Sequence, residues 1–183
     1  MDCVRRKASS VADRLTPRAR EIVEAARAVL EESGAGALTM RSLADRLGIK
    51  APSLYKHFPD KSAVEVELIA LMLSEFAVAC EAAETASPGS LAALTTAYRD
   101  YALAHPHLYR LATERPLPRH DLPPGLEDRA AAPLLRVCDG DGDLARAAWA
   151  FAHGMVILEI NGRFPEGADL TAAWKKGTEA LHS

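Results

Sequence analysis

The stretch Leu38-Thr39-Met40-Arg41-Ser42-Leu43-Ala44-Asp45-Arg46-Leu47-Gly48-Ile49-Lys50-Ala51-Pro52-Ser53-Leu54-Tyr55-Lys56-His57-Phe58-Pro59-Asp60-Lys61 reads as two short helices joined by a glycine turn. Met40, Leu43, Ala44 and Leu47 recur at the i, i+3, i+4, i+7 spacing that puts apolar groups on one face. Thr39 stands where a hydroxyl can cap the first free N–H groups. Gly48 stops this helix, because a residue without a Cβ adopts the left-handed conformation that helix ends use, and Ile49 is then expected to turn into the core. Pro52 suits the first turn of the next helix, where its missing N–H is no loss, while Ala51 before it is steered away from helical angles. Only Leu54 and Phe58 are core candidates there. Lys50, Ser53, Tyr55, Lys56 and His57 remain on a polar exterior, a composition suited to nucleic acid. Spacing alone leaves the matter open, since any helical hairpin has two amphipathic helices and a glycine.

The residues themselves narrow it. The Leu38-Thr39 entry, Leu43-Ala44, Leu47-Gly48-Ile49, the Leu54-Tyr55-x-His57-Phe58 block and Lys61 closely resemble the helix-turn-helix of the TetR family of bacterial transcriptional repressors. Thr39-x-Arg41 and Pro52-Ser53-Leu54-Tyr55 are particularly similar to its tetracycline-repressor branch, a likeness that stops after the fourth helix. The resemblance implies that Thr39, Tyr55, His57 and Lys61 touch backbone phosphates. For reading bases, Arg41, Lys50, Ser53 and Lys56 carry the polar groups, and Ala51 and Pro52 can pack on a thymine methyl. Arg41 is the first choice, since its guanidinium fork matches guanine O6 and N7.

Composition agrees. A chain of 183 residues, 49% hydrophobic, is long enough to bury a substantial core. No apolar run is long enough to span a membrane and no secretory leader opens the chain, so a soluble protein is expected, with the cytoplasm its compartment. Cys3, Cys80 and Cys138 are odd in number, far apart and without a C-x-x-C pair, which argues against a disulfide framework or a zinc site. Residues 1–61 carry 12 Lys+Arg against 8 Asp+Glu, net +4, and residues 62–183 carry 10 against 17, net −7. A basic N-terminal part on an acidic body fits a protein whose first part meets phosphates.

The rest of the chain reads as helical throughout, with no hairpin or alternating β-branched strand signals, so the expected class is all-α with about nine helices. Residues 1–15 read as a flexible basic arm, 16–62 as a three-helix DNA-binding domain, and 63–183 as a helical bundle for ligand binding and dimerisation. A long fourth helix capped by Asp60 links the two and is expected to end near Ala83. The segment from Glu114 to Gly125 is rich in proline and reads as a loop. Tyr101-Ala102-x-Ala104-His105-Pro106-x-Leu108-Tyr109-Arg110-Leu111 and Trp149-x3-His153-Gly154-x3-Leu158-Glu159-x2-Gly162-x-Phe164 resemble the Trp-His-Gly class of TetR C-terminal domains. That resemblance implies a bundle that dimerises through its last two long helices and encloses a pocket for a small effector. It departs from the tetracycline-binding domain, so tetracycline and its magnesium ion are not carried over, and no cofactor is expected.

Phe76, Tyr98, Tyr101, Tyr109, Phe151 and Met155 are the candidate pocket residues, which point to a largely apolar effector. Aromatics at helical spacing also simply fill cores. His105, His107 and Glu114 converge poorly for a metal, and His153 in an apolar helix reads as a structural or dimer-seam histidine rather than a general base. The expected function is a homodimeric regulator, a repressor released by its effector from double-stranded operator DNA that forms an inverted repeat. An effector-independent DNA-binding protein and a helical enzyme are the alternatives.

Overall fold

The computed structural model describes residues 14–181, and all regular structure among them is helical. The elements are α1 (Pro17–Ser33), α2 (Met40–Arg46), α3 (Ala51–Leu54), α4 (Lys61–Ala86), α5 (Leu91–Ala104), α6 (Pro106–Thr113), α7 (Leu126–Val137), α8 (Gly142–Ile160) and α9 (Leu170–Leu181). Side-chain caps fix most of the helix starts. The Thr16 hydroxyl accepts from the Ala19 N–H, the Asp60 carboxylate from Ala63, the Ser90 hydroxyl from Ala93, and the Asp141 carboxylate from Asp143 and Leu144. Thr39 and Ser42 form a reciprocal capping box at α2.

Gly48 has φ +64°, the left-handed angle the turn after α2 requires. Met40, Leu43 and Ala44 are buried, whereas Leu47 and Ile49 are half-buried at the margin of the same core. The helix after the turn is shorter than its sequence implies. α3 closes at Leu54, and Tyr55, Lys56 and His57 lie in turns held by bonds from the N–H groups of His57 and Phe58 to the Leu54 carbonyl. Leu54 and Phe58 are buried as expected.

The N-terminal core does not stop at residue 62. Ile22, Leu30, Leu43 and Leu54 share one buried cluster with Leu68 of α4 and with Leu108 and Leu111 of α6. α4 also continues three residues beyond Ala83, to Ala86, where Ser87 caps it. Two smaller clusters lie farther along, one around Tyr98, Tyr109 and Trp174 and one around Cys80, Leu94 and Val137, with Phe76 packed against all three. The basic arm falls largely outside the described residues. Of its last two residues, Arg14 pairs with Glu67 at 3.2 Å and Leu15 packs on the core.

At the far end α9 leans on α8 through a glycine. The Phe151 ring, edge-on to Trp174 at 5.4 Å, occupies the space where a Cβ on Gly177 would project. Gly177→Ala is therefore expected to destabilise the protein by about 1–3 kcal/mol in urea unfolding, the usual range for overpacking. An unchanged midpoint and slope would count against this contact.

Candidate DNA interface and interior cavity

The N-terminal face separates its cations into two groups. Arg14, Arg18, Arg27 and Arg46 are each paired with a carboxylate, Arg46 with Glu32 through two bonds of 2.7 Å. Arg41, Lys50 and Lys56 are exposed and form no ion pair among the described residues. All three stand on the helix-turn-helix, where phosphates and base edges would be met, and the exposed Arg20 of α1, bonded to the Leu15 carbonyl, is a further cation without an ion pair among the described residues. Thr39, Pro52, Tyr55 and His57 are exposed beside them, and Ala51 and Ser53 are half-buried. The Thr39 hydroxyl is already engaged with Ser42, which makes it a cap first. Lys61 is held differently, with its ammonium 3.2 Å from the Ala35 carbonyl and 3.2 Å from Glu65 Oε1.

Behind α1 a polar clasp joins the motif to the body. Arg27 bonds both Glu75 oxygens, at 2.6 and 3.0 Å, and the Tyr101 hydroxyl donates to the same carboxylate at 3.0 Å. His105 Nδ1 lies 3.4 Å from Glu31 Oε1. This joins α1, α4 and α5 at one point. Burial raises the Tyr101 hydroxyl far above its ordinary pKa, and the Glu75 carboxylate beside it adds to that, so it remains a donor.

The interior holds a cavity of about 620 Å³ between α4, α5, α6, α7 and α8, with the segment between α6 and α7 also lining it. Of the six aromatic and methionine candidates, Phe76, Tyr98 and Tyr109 line it, and Tyr101, Phe151 and Met155 do not. Tyr101 is drawn away by Glu75, Phe151 packs on Trp174 and Gly177, and Met155 sits against the cluster around Val156. Cys80, Thr95, Trp149, Arg115, Arg119 and Arg146 also line the cavity and carried no sequence signal for it. The segments that carry them meet only on folding. Cys80 is buried, which pushes its thiol up to about 12, so it behaves as an apolar wall. Cys138 is also free and buried, and Cys3 lies outside the described residues.

Tyr98 and Tyr109 share a hydrogen bond of 2.6 Å, and the Tyr109 hydroxyl shares another of 2.7 Å with His153 Nδ1. Burial pushes the Tyr98 hydroxyl up to about 12 and raises Tyr109 as well, so both stay neutral. His153 is thus a satisfied histidine on α8. No group of three metal-ligating side chains occurs among the described residues, and no helix among them is long and apolar enough to cross a membrane.

Residues 22–68 match the profile of bacterial regulatory proteins of the tetR family, and residues 91–181 match the tetracyclin repressor-like C-terminal domain. An uncharacterized HTH-type transcriptional regulator of Mycobacterium tuberculosis is 35% identical over 156 residues, covering 77% of this chain and 69% of that protein. The class A tetracycline repressor from transposon 1721 of Escherichia coli is 44% identical over 54 residues, covering 30% of this chain and 25% of that repressor. The fold is shared with a TetR variant from Acinetobacter baumannii solved in complex with minocycline, at 24% identity and a TM-score of 0.61, covering 87% of this chain and 91% of that one.

Desolvation lowers the pKa of His153 below its ordinary value, so the folded state prefers the neutral ring. The unfolded chain then binds more protons between the two pKa values, and stability falls as pH drops below about 6.5. His153→Gln is expected to flatten that part of the unfolding profile between pH 7 and 5, measured in urea at each pH. The chain belongs to the TetR family of helix-turn-helix transcriptional regulators, which are DNA-binding proteins rather than enzymes.

Proposed function

We propose that the protein is a homodimeric, cytoplasmic repressor that releases an inverted-repeat operator when a small, largely apolar effector enters the interior cavity. Family members bind operator DNA as homodimers and respond to small molecules, and a ligand-released repressor is their typical role. The observation that carries the reading here is the set of unpaired cations, Arg41, Lys50 and Lys56, on α2, α3 and their flanking turns, where the remaining arginine, Arg46, is neutralised by Glu32. Residues 16–62 would act as the DNA-reading unit and 63–183 as the effector and dimerisation unit.

Thr39, Tyr55, His57 and Lys61 are assigned to phosphates. Arg41, Lys50, Ser53 and Lys56 are assigned to base edges, with Ala51 and Pro52 against thymine methyls. For the dimer, the outward face of α8 supports the reading. Ala147, Ala150, Gly154 and Leu158 lie on it, and small residues allow a partner helix to approach closely. A two-fold dimer would set its recognition helices about 34–36 Å apart, one turn of DNA.

Footprinting on the DNA flanking the gene locates the operator. Arg41→Ala is expected to cost about 1–3 kcal/mol at that site and little on random DNA, whereas Lys61→Ala weakens both alike. An equal loss on both DNAs for Arg41→Ala would remove it from base reading. Sedimentation at micromolar concentration is expected to give a dimer. A compound that raises the melting temperature of the free protein is expected to weaken operator binding about 5- to 150-fold at saturation, and DNA must weaken that compound equally. Unchanged operator affinity would favour an effector-independent DNA-binding protein.

A further inference from the structure

The charged side chains around the cavity are unevenly engaged. Four line it: Arg115, Arg119, Arg146 and Glu127. Glu127 is taken up by Arg119 through bonds of 2.8 and 2.9 Å, and Arg146 is held by Asp143 at 2.6 Å. Arg115 differs. Its ion-pair distance, to Glu65 Oε2, is 3.8 Å, too long for a hydrogen bond, and its side chain is 67% exposed. Among the described lining residues the rim therefore offers one cation without a hydrogen-bonded carboxylate, and no free carboxylate. Residues 62–183 are net −7, so a basic rim is not what the surrounding composition would produce. Deeper in, Tyr98 and Tyr109 bond to each other and to His153, which leaves the interior without a charged anchor.

Taking the cavity as the effector site proposed above, we infer that the effector is an amphipathic acid, with an apolar body inside and an anionic end that Arg115 takes at the rim in competition with Glu65. An ammonium there would find no counter-charge, and a neutral molecule would leave the guanidinium donors unused. The competition also supplies a route to the DNA face. Glu65 is 12% exposed and shared, with Oε2 facing Arg115 and Oε1 lying 3.2 Å from the Lys61 ammonium. When a ligand anion engages Arg115, Glu65 is left with Lys61 alone. In a poorly solvated spot the remaining attraction strengthens, and Lys61 is held back from the phosphate assigned to it. The sign is that of release.

The probes are decanoate, 1-decanol and decylammonium, each below its aggregation concentration, with binding measured by calorimetry and operator affinity by titration. Decanoate is expected to bind at least about tenfold tighter than decanol, with decylammonium the weakest of the three. Arg115→Gln should bring decanoate to within about threefold of decanol while leaving decanol unchanged, and Arg115→Lys should keep part of the preference. In Glu65→Gln decanoate should still bind, yet lower operator affinity by less than about twofold.

Equal affinity for decanoate and decanol in the unaltered protein overturns the acid class while leaving an apolar effector site intact. So does failure of all three to bind when another compound releases the operator. If no compound of any class releases it, the effector reading itself falls. An undiminished operator effect in Glu65→Gln overturns the link through Lys61.

Discussion

One helix belongs to both working ends of the molecule, and that constraint organises the rest. α4 spans 26 residues, about 39 Å at 1.5 Å per residue. Near its start Val64 and Leu68 are buried with the helix-turn-helix, and farther along Met72, Phe76 and Cys80 line the cavity. Its apolar groups turn to different neighbours along its length, so it has no single buried stripe. A continuous hydrogen-bonded helix transmits a tilt at one end to the other, because bending it would break backbone bonds that have no other partners. The shared core with α6 adds a second contact, through Leu108 and Leu111, between the motif and the body.

The clasp of Arg27, Glu75 and Tyr101 stands midway along α4. Arg27 and Glu75 are both partly exposed, so by ordinary surface values the pair contributes at most about 1 kcal/mol. The buried leucines and isoleucines around it outweigh that many times over. What the clasp adds is register, since a bidentate fork and a third donor on one carboxylate accept only a narrow range of helix positions. Arg99 and Glu159 do the same work between α5 and α8, with the Trp174 indole donating to the same carboxylate from α9 and its ring 5.8 Å from the Arg99 guanidinium. Stability and alignment thus come from different groups.

Those two sources differ in how far they can be read from sequence. Thr16, Thr39, Asp60 and Ser90 act on N–H groups three residues away, and Gly48 and Pro52 act on their own backbone angles, so the helix boundaries follow from local chemistry. The short α3 shows the limit of such reasoning. Leu54 and Phe58 fall on one helical face and are buried, but the chain between them relaxes into turns once Leu54 is anchored. Partners far apart in sequence leave no such mark. Arg27 and Glu75 are 48 residues apart, and Arg115 and Glu65 are 50, and neither pair has a spacing that distinguishes it from other charged residues. Tyr101 illustrates the same point for the cavity, because it shares the aromatic pattern of Tyr98 and Tyr109 but a glutamate on another helix decides where its hydroxyl goes.

The size of the cavity constrains how it can be used. If about 620 Å³ were sealed and dry, a cost of about 24 cal/mol per Å³ would amount to roughly 15 kcal/mol, as much as the whole stability of an ordinary domain. A protein of 183 residues could not keep such a void, so the space must exchange with solvent. The opening lies where Arg115, Arg119, Glu127 and Arg146 stand with Leu135 and Trp149, since these are the well-exposed side chains of a mostly apolar and aromatic lining. Water inside is then poorly matched to most of the wall, and its release favours any apolar body that fits. The wall rewards size and shape with little regard to identity, because dispersion and desolvation are non-directional. Among molecules whose apolar bodies fit alike, discrimination therefore arises at the mouth, where charge and geometry decide, and Arg115 there shares Glu65 with the lysine opening α4.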